Sequence, residues 1–209
     1  MGTRNLTVVI KDGNIKLSQY CQWDGHFRNA GLDFLNFVRT NLIDRYHGTG
    51  RVLKSTYNLN DFKEVVDKLV GVDEAYLNKI EEVRKQFDDS NEISIPYEIM
   101  FPQFHRNTGV RLLQILMDNK HEIGCSKGFP VELSTQFLLY VEYINVLNLD
   151  KDELYMLTCR DFNGKKLDTC NIVKTQYEAK GFNCYYKSKN KDLKNLKSIS
   201  KYVESIGLD

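Results

Sequence analysis

The sequence predicts a single α+β domain that spans residues 1–209, built on an antiparallel sheet with helices packed against it. Three observations support this fold class. A β-hairpin pattern comes first, helical periodicity occupies the middle of the chain, and short segments rich in aromatic and β-branched residues come last. A chain of 209 residues can bury a substantial core. We therefore expect the N-terminal hairpin and the C-terminal strands to share one sheet, packed with the central helices.

The hairpin prediction rests on two apolar runs, residues 6–10 and 15–22, which flank the sequence KDGN. An Asp-Gly pair favours a two-residue turn because both positions tolerate a positive φ. In that register Leu6 lies opposite Gln19, and Arg4 lies opposite Cys21. One face of the hairpin then begins with core residues and ends with Arg4, Gln19 and Trp23. A three-residue loop would exchange the two faces.

The remaining elements follow from periodicity and from helix-breaking residues. Helices are predicted at residues 31–46, 58–70, 72–87, 108–119 and 191–207. Strands are predicted within residues 134–150, at 154–159 and at 182–187. Asn60 is expected to cap the second helix and Asp73 the third, and Pro96 and Pro102 predict an irregular crossing segment after it. The first C-terminal strand is apolar on both faces, as a central strand should be.

Composition narrows the class of protein. The chain has 42% hydrophobic residues, 27% charged residues and a net charge of +1, so no overall basic field favours a nucleic-acid or membrane partner. The five cysteines form no CxxC pair and the four histidines no HxxxH pattern, so we expect neither a metal nor another cofactor. Without a signal peptide or an apolar run of membrane-spanning length, we expect a cytoplasmic protein.

The polar end of the hairpin leaves two interpretations open. A buried arginine needs an anion, so Arg4 either pairs with an internal carboxylate or helps to form a ligand pocket with Trp23. The glycine-bearing loop that follows leads into a helix and contains Asp24 and Arg28, which suits an anion such as a phosphate. Gln22 and Asp24 can join this pocket only if the strand ends or bulges near Trp23.

The N-terminal sequence resembles a known family. MGTRNLT, followed by a hairpin that ends in QYCQWDG, is similar to an uncharacterised family common in bacteriophages and bacteria, with the motifs MGTRNLT and QYxQWDG. RNTG at residues 106–109 resembles an RDTG segment, with Asn107 in place of aspartate. VEYINVLNLD at residues 141–150 resembles CEWxYVIDLD, matching at Glu142 but departing at Tyr143 and Asn148. The resemblance implies a phage or prophage context, and a location in the host cytoplasm if the protein is viral. It brings no defined activity.

Two further residues are candidates for the site. Glu142 falls in an apolar strand, where a desolvated carboxyl group could act as a general acid or base, as could Asp24. The alternative is a structural ion pair between Glu142 and Arg4 or Arg106. Arg106 precedes the fourth central helix and could bind a phosphate, whereas Asn107 beside it could simply cap that helix.

Two classes of function fit these residues. The first is a binding protein for a phosphorylated or nucleotide-like small ligand, which in a phage could sequester a host defence signal. The alternative is a small hydrolase with the layered fold of the N-terminal-nucleophile enzymes, acting on a similar ligand. That chemistry needs an exposed Cys, Ser or Thr as first residue, whereas loss of Met1 exposes Gly2 and Thr3 would need a further cut. The sequence leaves enzyme activity open and allows a homo-oligomer.

Overall fold

The computed structural model describes residues 2–42, 45–46, 52–53, 55–69, 109–118, 141–160, 166–168, 170–171, 173 and 182–189. Several predictions lie outside these residues: the helices at 72–87 and 191–207, the crossing segment with its two prolines, and Arg106.

The described elements follow the predicted order, except that residues 45–46 form a strand where the helix predicted at 31–46 should end, and pair with residues 52–53 in a second sheet. The seven strands are β1 (Asn5–Lys11), β2 (Asn14–Cys21), β3 (Arg45–Tyr46), β4 (Val52–Leu53), β5 (Tyr143–Asn148), β6 (Glu153–Thr158) and β7 (Asn183–Lys189). The α-helices are α1 (Leu32–Phe37), α2 (Leu59–Asp67) and α3 (Arg111–Asp118). π-helical turns at Phe27–Gly31 and Val38–Leu42 extend α1 at both ends. The α+β class is therefore confirmed.

The main sheet has five strands in the order β2-β1-β5-β6-β7, and it is mixed rather than purely antiparallel. The hairpin and the C-terminal strands do share this sheet, but β1 pairs with β5 in parallel. The reason is topological. The chain leaves β2 at one end of the sheet, passes through the helices and begins β5 at that same end. β5 is therefore antiparallel to β2, and so parallel to β1.

The β1–β2 hairpin turns where the sequence predicts, but its register changes along the strands. Asp12 and Gly13 have φ values of 54° and 70°, as the two-residue turn requires. Lys11 pairs with Asn14 and Ile10 with Ile15, after which the register shifts by one residue at a β-bulge.

The bulge overturns the predicted face of Gln19. Beyond the bulge Leu6 pairs with Tyr20, and Gln19 pairs with Thr7. Gln19 therefore lies on the opposite face from Leu6 and Arg4, because alternate residues of a strand point to opposite sides. An extra residue in β2 has the same effect as the three-residue loop that would exchange the faces.

Both faces of the sheet are buried. One face packs on the helices around Val9, Leu17, Leu147 and Met156. The other face, which includes Leu6, Val8, Ile144 and Val146, packs with Cys170, Val173 and Phe182. All six residues of β5 are buried, which confirms the predicted central strand.

The N-cap of the second helix lies two residues before the predicted one. Asn58, not Asn60, is the N-cap, and its Oδ1 accepts a hydrogen bond of 2.7 Å from the Asp61 N–H. The fourth predicted helix is present as α3, with Leu112, Leu113, Leu116 and Met117 buried.

Candidate functional site

One end of the main sheet gathers residues from both halves of the chain. β1 begins and β2 ends here, and because β1 and β5 are parallel, β5 also begins here while β6 ends here. We call this region the sheet end and define it by seven residues: Thr3, Arg4, Trp23, Asp24, His26, Glu142 and Arg160. The parallel pairing therefore brings the N-terminal motif next to Glu142.

The sequence WDG forms a tight corner at the sheet end. Asp24 has a φ of 56°, and the Gly25 N–H donates to the Thr3 carbonyl at 3.0 Å. A Cβ on Gly25 would lie 2.8 Å from the Asn5 nitrogen, so only glycine allows this close approach of the two chain segments. β2 ends at Cys21, so the regular strand stops before Gln22, as convergence of Gln22 and Asp24 would require.

Trp23 is 53% exposed and does not close the core. Its ring lies against Gly2, where a Cβ would come within 2.2 Å of the indole. An exposed indole held against the backbone offers a flat apolar surface on which a planar ring can stack.

His26 connects this corner to the strands. The hydroxyl of Thr3 and Nε2 of His26 share a hydrogen bond of 2.8 Å. The imidazole ring lies 5.4 Å from the ring of Tyr143, which also makes an edge contact with Phe27 at 4.9 Å. Burial raises the pKa of Tyr143. The guanidinium of Arg160 lies over the ring of Tyr143, 5.9 Å from its centroid.

Glu142 lies just before β5, at the sheet end rather than in the middle of the strand. Its carboxylate accepts hydrogen bonds from Nε of Arg160 at 2.8 Å and from the terminal nitrogen of the same side chain. The backbone N–H of Arg4 donates a hydrogen bond of 3.4 Å to the other carboxylate oxygen of Glu142. The side chains of Glu142 and Arg160 are 20% and 52% exposed. The hydrogen bond to Glu142 raises the pKa of Arg160.

The RNTG segment reaches the same region through its last residue. Gly109 has a φ of 52°, and a Cβ there would lie 3.1 Å from Sγ of Cys21. Cys21 is buried, and burial raises the pKa of its thiol, so it is not an activated nucleophile. Each of the four motif-like segments therefore has at least one described residue at or beside the sheet end.

The predicted site residues are only partly brought together. Arg4 is half-buried at the start of β1, and its main chain is bonded to Glu142 and Tyr143. Asp24 and Arg28 are exposed, on the corner and on the π-helical turn after it. Gln22 accepts a hydrogen bond of 2.6 Å from the hydroxyl of Tyr20.

Gln19 is fully buried on the helix-covered face and so lies apart from the exposed corner.

Sequence reasoning missed three features of this region. Arg160 was not a candidate, although a hairpin across residues 149–152 places the end of β6 beside Glu142. The contact between Thr3 and His26 joins residues 23 positions apart and has no local signature. The buried polar residues Asn5, Thr7 and Asn145 were overlooked, although Asn5 and Thr7 alternate with apolar residues along β1.

Among the described residues, no group of three or more His, Cys, Asp or Glu side chains is arranged to hold a metal ion. The helices within the described ranges are all too short or too polar to cross a membrane.

Comparison with known proteins adds no assignment: no family model, curated protein or solved structure matches this chain.

Proposed function

We propose that the sheet end binds a phosphorylated or nucleotide-like small ligand. The observation that carries the proposal is that the sheet end holds Arg4, Arg160 and Trp23, which come from distant parts of the sequence. Arg4 and Arg28 flank the corner, Arg160 joins it from β6, and Trp23 is 53% exposed. Guanidinium groups suit phosphate oxygens, and an indole suits a flat base.

The positive charge at the sheet end is partly offset by carboxylates, so we expect the site to be specific among anionic ligands. Glu142 neutralises Arg160, and Asp24 adds a second carboxylate beside the arginines. A phosphate that approaches Arg160 must share the guanidinium with Glu142. We therefore expect binding that weakens with salt, since partly exposed charge pairs are screened.

The single tryptophan of the chain provides the test, because a ligand that stacks on Trp23 changes its fluorescence. Titration with nucleotides and cyclic dinucleotides is expected to shift the emission, whereas the corresponding nucleosides give weaker binding. Arg160→Ala and Arg4→Ala are each expected to weaken nucleotide binding by about tenfold or more. Lys68→Ala removes a positive charge next to α2 and is the matched control, with no effect expected.

No binding by any nucleotide, or equal loss in the Lys68→Ala control, would contradict a specific phosphate site. The resemblance to a phage family supports the further proposal that the ligand is sequestered rather than consumed. Recovery of intact ligand after prolonged incubation supports sequestration, and recovery of an altered ligand contradicts it.

A second candidate function is hydrolysis of such a ligand, and the contact between Thr3 and His26 favours it. A hydroxyl within 2.8 Å of an imidazole nitrogen has the geometry of a nucleophile beside its base. This pair needs no release of an N-terminal residue, unlike the N-terminal-nucleophile mechanism. In this scheme Thr3 and His26 perform the chemistry, while the Glu142–Arg160 pair binds the ligand.

The hydrolase alternative predicts altered ligand with the wild-type protein and intact ligand with His26→Gln. The Glu142→Gln variant separates the two carboxylate roles. If turnover persists in Glu142→Gln, Glu142 is not the general acid or base that the sequence suggested.

A further inference from the structure

A groove of about 430 Å³ lies between α1 and α3 and shares no lining residue with the sheet end. One wall consists of α1 and the π-helical turn after it, with Asp33, Asn36 and Asn41. The first turns of α3 form the other wall, with Arg111 and Gln114. Asp33, Asn36 and Arg111 are exposed, so the groove opens to solvent. We call this region the helix groove and define it by these five residues and the two apolar residues at its base.

The base of the helix groove is apolar and firmly packed. Phe37 and Val110 line it, at 6% and 7% exposure, and both belong to the core that packs on the sheet. Phe37 also makes an edge contact with Phe62 of α2, with ring centroids 5.9 Å apart. An apolar base with a few polar groups on the walls is typical of small-molecule sites, whose volumes are about 300–1,000 Å³.

Tyr57 connects the two walls at one end of the helix groove. Its N–H donates to the Asn41 carbonyl at 2.8 Å, and its hydroxyl accepts from Nε2 of Gln114 at 2.7 Å. Nε2 of Gln114 also donates to Oδ1 of Asp118 at 2.9 Å. Both amide protons of Gln114 are therefore used, and its Oε1, which bonds to no described group, remains as an acceptor for a ligand N–H.

Opposite charges line the two walls of the helix groove without neutralising each other. Asp33 and Arg111 form no ion pair, with each other or with another group, in the part of the chain that the structure describes. Partial burial raises the pKa of the Asp33 carboxyl, so a cation beside it would be favoured. A ligand with a cation at one end and an anion at the other would satisfy both side chains.

We propose that the helix groove binds a zwitterionic dipeptide or tripeptide, with its amine at Asp33 and its carboxylate at Arg111. A single amino acid carries both charges on one carbon, whereas packed helices lie about 8–10 Å apart. Each added residue extends a peptide by about 3.3–3.6 Å, so two or three residues match this spacing. The carboxamides of Asn36, Asn41 and Gln114 suit peptide N–H and C=O groups, and the apolar base suits a side chain.

Alanyl-phenylalanine is the probe, together with its N-acetylated and its C-amidated forms. Each cap removes one of the two charges. Isothermal titration calorimetry is expected to show that the uncapped dipeptide binds at least about tenfold more tightly than either capped form, as loss of a hydrogen bond to a charged group predicts.

Two variants test which charge each residue binds. Arg111→Ala is expected to weaken binding of the uncapped dipeptide by about tenfold and to leave the affinity for the C-amidated form unchanged. Asp33→Asn should weaken binding of the uncapped dipeptide equally, but leave the affinity for the N-acetylated form unchanged. A residue that only supports the fold would weaken all three peptides together, and thermal melting checks that each variant is folded.

Matched controls lie on α2 and just after it. Glu64→Gln removes an exposed carboxylate and Lys68→Ala an exposed ammonium group, and neither residue lines the helix groove. Both variants should bind alanyl-phenylalanine as the wild-type protein does. Arg160→Ala, which alters the sheet end, should also keep its affinity for the dipeptide.

The inference is overturned if alanyl-phenylalanine does not bind at millimolar concentrations, or if the uncapped and capped forms bind equally. It is also overturned if neither Arg111→Ala nor Asp33→Asn changes the affinity, because the peptide then lies elsewhere on the protein. The helix groove and the sheet end are tested with different ligands and different variants, so either proposal can fail while the other stands.

Discussion

Glu142 and Arg160 form an ion pair that joins the start of β5 to the end of β6. Nε of Arg160 donates to the carboxylate at 2.8 Å, and the Arg4 N–H approaches the other carboxylate oxygen at 3.4 Å. The contact between Arg160 and Glu142 connects the two strands of the β5–β6 hairpin at the sheet end. The second contact connects that hairpin to β1, 138 residues away. Glu142 therefore joins the two halves of the candidate site.

Glu142→Gln is expected to lower the free energy of unfolding by only about 1 kcal/mol or less, since ion pairs with an exposed partner contribute little. Arg160 is 52% exposed, and glutamine retains an acceptor for the Arg4 N–H. Urea unfolding measures the change. A loss of roughly 3–5 kcal/mol would instead mean that the pair behaves as a buried one. The affinity for nucleotides should also change in Glu142→Gln, because the guanidinium of Arg160 loses its carboxylate partner.

Gly109→Ala is expected to destabilise the protein more than Gly13→Ala. Both glycines have a positive φ, of 52° and 70°, so both substitutions place alanine in a conformation that costs about 1–2 kcal/mol. A Cβ on Gly13 meets nothing within 4 Å, whereas one on Gly109 lies 3.1 Å from Sγ of Cys21. The extra loss for Gly109→Ala, measured by thermal or urea unfolding, reports this crowding.

Cys21→Ala provides the companion variant, because it removes the sulfur that a Cβ on Gly109 would meet. In that background the Cβ of residue 21 still lies 3.2 Å from the added methyl group, so the extra cost of Gly109→Ala should fall without vanishing. Equal costs for the two glycine substitutions in the wild-type background would show that α3 does not press on the end of β2.

Asp150→Ala is expected to destabilise the hairpin by about 1–2 kcal/mol, since hydrogen bonds to a charged group are stronger than neutral ones. Its two carboxylate oxygens accept from the N–H groups of Asp12 and Gly13 at 2.8 and 2.9 Å. Asp150→Asn keeps one acceptor oxygen, so its stability should lie between those of the wild-type protein and Asp150→Ala. Hydrogen exchange at those two amides is the direct measurement. Asp168→Ala, an exposed aspartate elsewhere, should leave their exchange unchanged.

Alkaline pH is expected to destabilise the protein partly through Cys184. Burial raises the pKa of its thiol from 9.0 to about 11, so the folded state favours the neutral form. The resulting stability is complete below pH 9 and is lost as the pH rises from about 9 to 11, by roughly 2–3 kcal/mol at most. Urea unfolding across this range measures the decline. Cys184→Val should flatten it, and an equal slope in both proteins would contradict this assignment.

The hairpin and its turn could be predicted because their signals are local. Asp12 and Gly13 adopt the positive φ that their residue types favour, and the apolar runs beside them define the strands. The bulge could not be predicted, because Lys16 and its neighbours fit a regular strand equally well. That single extra residue moved Gln19 from the face predicted to carry Arg4 and Trp23 to the buried, helix-covered face of the sheet.

The candidate site was predicted only in part, because it also depends on how distant strands pair. Arg4, Trp23, Asp24 and Glu142 do lie at one end of the sheet, but the predicted antiparallel order gave no reason for β1 and β5 to begin together. The contact between Glu142 and Arg160 depends on the β5–β6 register, which is fixed by the turn between them. Pairing of distant segments depends on packing, which a single sequence does not specify.

The parallel pairing of β1 with β5 has a consequence for synthesis of the chain. The β1–β2 hairpin and the β5–β6 hairpin each form from residues close in sequence, but their junction requires closure of a loop from Arg4 to Glu142. Contacts of such long separation form late and slowly. On the ribosome, the N-terminal hairpin has no neighbour for β1 until β5 emerges. Premature termination before residue 143 would therefore leave β1 with an unpaired edge, a form prone to aggregation.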